Sequence, residues 1–276
     1  LGDVSYSQSA PVYSAGLGLQ FSDWISLYGV LAQGFRAPNL QETTVLADTG
    51  SKFEIPNDAL RPERSNTYEI GLKIRKPHVA VTLVGFYTEL VDVIDEIPST
   101  YEGNSEIDGA SVVQRSNEAS GVTKGVEGQV RLTFGKSSLF AGATWLDGQI
   151  TSASGDEHPM RRLPPGFGNV GLRYTHNSDI FGQLALNWAL AQDQLHPSDR
   201  KDHRICQTEP YSGVIDPDCS GSPAWTRLNF DAGFKVSSQL RFVFSAHNLL
   251  DQQYRTHGSG FFAPGIDFRL TALMKY

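Results

Sequence analysis

Along most of this chain apolar and polar residues alternate, and the alternation comes in pairs of runs joined by a few residues. Tyr68, Ile70, Leu72 and Ile74 oppose Glu69, Gly71, Lys73 and Arg75, and after Lys76-Pro77-His78 a second run returns from Val79 to about Ile94. Val126, Gly128, Val130, Leu132 and Phe134 are answered across Gly135-Lys136 by Leu139 to Leu146. A period of two puts every second side chain on one face of a strand. The last run sets Phe268, Leu270, Ala272, Met274 and Tyr276 against Asp267, Arg269, Thr271 and Lys275, with Leu273 as its one exception. The pattern therefore predicts an all-β, antiparallel architecture of about eleven half-buried strands. Periodicity alone does not say whether a protein core or lipid covers the apolar face, because both give the same alternation.

The connections separate these cases. Tight turns at Ser22-Asp23, Lys76-Pro77-His78, Gly135-Lys136, His176 to Asp179 and Ser237-Ser238 alternate with long stretches: Arg36 to Arg64, about Asp95 to Glu118, Gly148 to Gly168, about Ala191 to Ala224, and Asn248 to Ala263. Every long connection then falls at one end of the strands and every short one at the other. That is the asymmetry of an outer-membrane barrel, with short periplasmic turns and long extracellular loops, whereas a sandwich spreads both kinds over both ends. The polar face also carries charge along its length, through Glu69, Lys73, Glu127, Arg131, Arg173, Arg227, Asp231, Lys235, Arg241 and Arg269, so it needs water or a polar filling.

Composition fits this. A hydrophobic content of 39% and a mean hydropathy of -0.28 suit a barrel in which only alternate residues meet lipid. No apolar run approaches the roughly 18 to 20 residues of a membrane helix. A net charge of -7, with no basic stripe, argues against a nucleic-acid partner. Cys206 and Cys219 lie close together in one loop-like stretch and could close a ring worth roughly 3 kcal/mol in an oxidising compartment. Without CxxC spacing they make a poor metal site, and neither a metal nor a cofactor is expected.

Several segments together resemble the barrel of TonB-dependent outer-membrane receptors. They are Phe35-Arg36-Ala37-Pro38-Asn39-Leu40-Gln41-Glu42; Leu60-Arg61-Pro62-Glu63-Arg64-Ser65-Asn66-Thr67-Tyr68-Glu69; Gly125-Val126-Glu127-Gly128; Arg162-Leu163-Pro164-Pro165 before Gly171-Leu172-Arg173-Tyr174; and Asn248-Leu249-Leu250-Asp251-Gln252-Gln253-Tyr254-Arg255 before the last strand. The resemblance covers essentially residues 1–276 as one partial domain, the C-terminal half of the barrel, with the plug domain missing. It implies residence in the outer membrane of a Gram-negative-type bacterium. It also implies TonB-energised uptake of a scarce ligand, an iron chelate such as a siderophore or a haem-type compound, with TonB engaged through the N-terminal plug region. Parts of the chain are similar to the haem, haemoglobin and transferrin grouping. Its haem-binding members carry a histidine after the first of these segments, and none lies between Asn39 and Glu63. A passive porin or a surface adhesin is the alternative.

The ligand-binding candidates are the cationic and aromatic residues of the long loops: Arg36, Arg161, Arg162, His196, Arg200, His203, Tyr254 and His257. Arginine matches an anionic chelate by charge and bidentate hydrogen bonds, and a neutral imidazole can bind iron. His158 shares the loop position, but no two histidines are close enough in sequence to suggest a shared metal. Arg61, Glu63 and Glu69 are expected to hold the loop base and wall together. Tyr101, Tyr211, Phe261 and Phe262 are expected to pack on neighbouring loops, and Trp24, Trp145, Trp188, Trp225 and Tyr276 to form interfacial girdles. Ser245 and His247, two apart on one strand, lack the geometry of a nucleophile and its base, so the chain is not expected to be an enzyme.

Overall fold

In the computed structural model the described residues are 9–48, 52–177, 179–207 and 214–275; Tyr211 and Tyr276 lie outside them. Among the described residues eleven strands follow one another in chain order through one sheet, each antiparallel to the next. They are β1 (Ser14–Ser22), β2 (Ile25–Arg36), β3 (Glu63–Lys76), β4 (Val79–Pro98), β5 (Ala110–Phe134), β6 (Ser137–Thr151), β7 (Phe167–Thr175), β8 (Ile180–Ala189), β9 (Trp225–Lys235), β10 (Leu240–His247) and β11 (Asp267–Met274). All tight turns lie at one end, and Gly135 supplies the positive φ of +58° that the β5–β6 turn requires. The long connections lie at the other end, as the sequence predicts.

Cross-strand register shows why the apolar positions share a face. Leu17 pairs with Gly29, Gly29 with Ile70, Ile70 with Gly85, Gly85 with Val126, and Val126 with Trp145. One continuous row thus crosses six strands. Its large side chains are bare: Leu17 is 67% exposed and Ile70 60%. Such a surface, repeated from strand to strand, is one that lipid or a partner protein covers favourably, and the barrel reading assigns it to lipid. Two residues nearer the loops the row reads Leu31, Tyr68, Tyr87, Lys124 and Asp147, and two further on Gln33, Asn66, Glu89, Val122 and Gln149. The face therefore passes from aliphatic through tyrosine to polar, the order expected where a barrel wall leaves the hydrocarbon.

On the opposite face aromatic rings lie across glycines of the next strand. Tyr28 covers Gly71, Phe86 covers Gly125, Phe140 covers Gly171 and Phe181 covers Gly233, each a direct cross-strand pair. A Cβ at Gly71 would stand 2.1 Å from Tyr28 Cζ, and at Gly233 2.2 Å from Phe181 Cε1. These glycines give the rings room to lie flat. Cations stack on the same rings, Lys73 on Tyr28 at 4.6 Å and Arg173 on Phe181 at 3.9 Å.

Three stretches depart from the sequence reading. Residues 95–118 are mostly strand rather than loop, since β4 and β5 continue as a hairpin past the register breaks between Leu90, Val93 and Asp95. Polar side chains on both faces hid this extension. Within 37–62, helix α1 (Leu40–Thr44) is closed by a capping box between Asn39 and Glu42, and Lys52–Ile55 pairs in parallel with residues 111–114 of β5. Trp225 is no girdle residue: it shares the polar face with Arg227 and stacks on Tyr254 at 4.5 Å.

Candidate functional site

The long loops close over the polar face and leave the apolar face bare. Asn248, only 2% exposed, donates its backbone N–H to Asn229 Oδ1 on β9, and its side-chain amide reaches the carbonyls of Gln252 and Pro264. Its φ of +53° is the left-handed turn that bends the chain off β10 toward β9, a conformation asparagine tolerates. Tyr254 then stacks on Trp225, and its hydroxyl is 3.0 Å from Arg227 Nη1. Tyr254 is buried, so its ring supports the loop.

Two acids organise the cap above this. Asp199 is fully buried and Asp202 nearly so. Asp202 accepts from Arg162 Nη2 at 2.9 Å and from Arg204 Nη2 and Nε, both at 2.8 Å. Asp199 accepts from the Arg162 backbone N–H at 2.8 Å, with Arg161 Nε 3.8 Å from its other oxygen. Loop 152–166 is thereby tied to loop 190–207. Gln192 adds a bond to the Leu163 carbonyl at 2.8 Å and pairs through its backbone with Ser222. Beneath the acids Cys206 and Cys219 form the disulfide that their spacing suggested, packed with Leu195 and Ile205. Arg200 Nη1 donates to the Cys219 carbonyl at 3.1 Å, and Arg255 Nη2 donates to the Ile205 carbonyl at 2.6 Å.

Of the candidate residues, the structure brings Arg161, Arg162, His196, Arg200, Tyr254 and His257 into this cap. His196 accepts the Ser198 N–H at Nδ1, 3.0 Å away, and its ring meets His158 edge-on with centroids 5.6 Å apart. Sequence separation concealed that pairing. Burial pushes the His196 imidazole below its ordinary value, with His158 and Arg161 adding to the effect against Asp199. Burial lowers His257 too, Arg255 beside it reinforcing the shift, and its Nδ1 lies 2.9 Å from Ser222 Oγ. His203 is exposed at the edge of the cap.

Arg36 stands apart in a second group at the top of β2. Its guanidinium holds Glu63 through Nε at 2.6 Å and both Glu42 oxygens through Nη1 at 3.0 Å, which anchors α1 to the wall. Arg61 pairs with Asp92 at 2.7 Å. Arg115 joins Glu54 at 2.6 Å and Glu96 at 2.9 Å, and Lys52 also meets Glu96. Glu69, expected among the wall-bracing residues, lies on the polar face of β3 opposite Val30 and Phe86. Phe53 and Tyr101 pack at 5.4 Å, the inter-loop contact expected of Tyr101.

A family model for the TonB dependent receptor-like β-barrel matches residues 2–249. The chain belongs to that family. Its members are transporters and receptors of the Gram-negative outer membrane, which sets the bare apolar face against lipid. Among curated relatives, the vitamin B12 transporter BtuB of Vibrio vulnificus is 26% identical over 90% of this chain and 34% of its own length. The hemoglobin-haptoglobin utilization protein B of Neisseria meningitidis is 25% identical over 88% of this chain and 32% of its own. The chain thus spans about a third of the relatives it matches. The crystal structure of the siderophore receptor PirA from Acinetobacter baumannii superposes with a TM-score of 0.72 over 95% of this chain and 40% of that one, at 17% identity, a likeness of fold. In the family's terms, Ser245 and His247 are lumen residues that share one acceptor: both meet Asp231 Oδ1, at 2.6 and 3.2 Å.

Proposed function

We propose that residues 1–276 form the C-terminal part of the barrel of a longer receptor, which takes up an iron chelate or haem-type compound with energy from TonB, engaged through a plug region N-terminal to this chain. The observation that carries this reading is the direction in which the loops fold. The caps built on Arg36 and on Asp199 and Asp202 turn toward the charged lumen face, so a ligand arriving from outside meets arginine and histidine above a polar passage. Arg161 is the most open of the cap's paired cations, with its side chain 56% exposed, and is the residue proposed to meet an anionic ligand first. Arg200, His203 and His257 are proposed to contribute after it. The relatives' ligands, cobalamin and haemoglobin-haptoglobin, and the siderophore of a structural neighbour are consistent with a scarce, bulky cargo.

The test is growth of an iron-starved strain lacking the gene, complemented with the full-length gene and supplied in turn with ferric siderophores, haem and haemoglobin. Rescue by one ligand that disappears when TonB is deleted supports the proposal. Rescue that survives loss of TonB would mean passive passage, and failure of every ligand would remove the iron-chelate reading.

A further inference from the structure

Gly29 and Gly85 lie mid-strand on the lipid-facing row, and neither position requires glycine. Both have ordinary φ, and a Cβ would meet only Glu69 O at 3.7 Å or Ile70 Cγ2 at 3.8 Å. This contrasts with Gly71 and Gly233, where a ring occupies the space. A glycine inside a strand gives up packing and backbone entropy, and one thing it gains in return is room for another molecule to approach the backbone. Together the two glycines floor an apolar trough of about 790 Å³, crossed by Ile70 and walled by Leu17, Val126 and Trp145. At its loop end the trough meets Tyr68, Tyr87 and Lys124.

We propose that this trough is a specific site for one acyl chain of an outer-membrane lipid, whose anionic headgroup lies at Lys124 beside the two tyrosines. The trough is continuous with the surface that the barrel turns to the bilayer. Its polarity runs in the order of a lipid molecule, from aliphatic floor to tyrosine to ammonium, and the next row, Gln33, Asn66, Glu89, Val122 and Gln149, is polar except at Val122. Among the described residues Lys124 forms an ion pair with Asp147 that is long at 3.6 Å, and the lysine side chain is 54% exposed, so the ammonium stays open to a phosphate.

Trp145 reports occupancy. The full-length receptor is reconstituted in vesicles of phosphatidylethanolamine and phosphatidylglycerol in which one or the other carries brominated acyl chains, and the Trp145 signal is taken as wild type minus Trp145→Phe. The expected result is stronger quenching by the brominated anionic lipid than by the zwitterionic one. That excess should be lost in Gly29→Leu/Gly85→Leu, which fills the trough, and in Lys124→Gln, which leaves the fold untouched. An absent excess in the wild type, or an excess that persists in Lys124→Gln, would overturn the proposal. So would a wild-type dimer that dissociates when the trough is filled, since a second copy would then be its occupant.

Discussion

Arg162 and Asp202, forty residues apart in sequence, meet at 2.9 Å in the loop cap, and Arg162 does so from a φ of +55°. An arginine keeps this left-handed conformation only when its surroundings hold it there. Asp202 holds its side chain while Asp199 accepts its backbone N–H. Replacing the nearly buried acid by Asp202→Asn leaves Arg162 and Arg204 without their counter-charge and should destabilise the cap by about 1–3 kcal/mol, below the full cost of a buried pair because both arginines are partly exposed. Hydrogen exchange over residues 160–166 and 199–206 should quicken while the strands stay protected. Unchanged exchange would show that the cap does not depend on this acid.

The disulfide sits under the same cap with a sequence separation of 13. Cys206→Ser/Cys219→Ser should cost the loop about 3 kcal/mol by the chain-entropy argument. Limited proteolysis of the receptor on whole cells should then cut within 190–224 at protease levels that leave the oxidised protein whole.

Acid should loosen the cap. His196 and His257 both have folded values below the ordinary 6.5, so the unfolded loop takes up protons first as pH falls. Stability from their neutral forms is complete above about pH 6.5 and is lost as pH drops from there toward the folded values. Exchange of the cap amides, corrected for intrinsic rate, should rise between pH 7.5 and 5, and His257→Gln, which can still hydrogen-bond Ser222, should reduce the rise.

Glycines on the two kinds of site should respond differently. Alanine at Gly168 would set a Cβ 2.4 Å from the Gly142 carbonyl oxygen, where backbone must move, so Gly168→Ala should cost about 1–3 kcal/mol and lower the yield of folded barrel. Gly29→Ala meets nothing closer than 3.7 Å and should be neutral or slightly stabilising. Heat-modifiable migration on gels, followed against temperature, compares the two.

The strands were legible because lipid on one side and water on the other impose a period of two, and tight turns punctuate it. Lys52–Ile55, the extension of β4 and β5, and the His158–His196 contact were not. The first and the last depend on groups far apart in sequence, such as Arg115 with Glu54 across 61 residues, and the extension pairs polar residues such as Asp95 with Ser116; such contacts leave no periodic trace. The disulfide was legible because its two cysteines are close in sequence. Among the site candidates, sequence could not separate Tyr254, which is buried, from Arg161, whose side chain is largely exposed, because burial in a loop is decided by its neighbours.

The loops face outside and the tight turns face the periplasm. Single cysteines in the full-length receptor, Ser154→Cys at an exposed loop tip and Ser238→Cys in an exposed turn, report this orientation when probed on intact cells with a membrane-impermeant maleimide. Cys206 and Cys219 are bonded to each other and do not react. The structure predicts labelling at position 154 on intact cells and at 238 only after the outer membrane is opened. Labelling at 238 alone, or equally at both, on intact cells would contradict it.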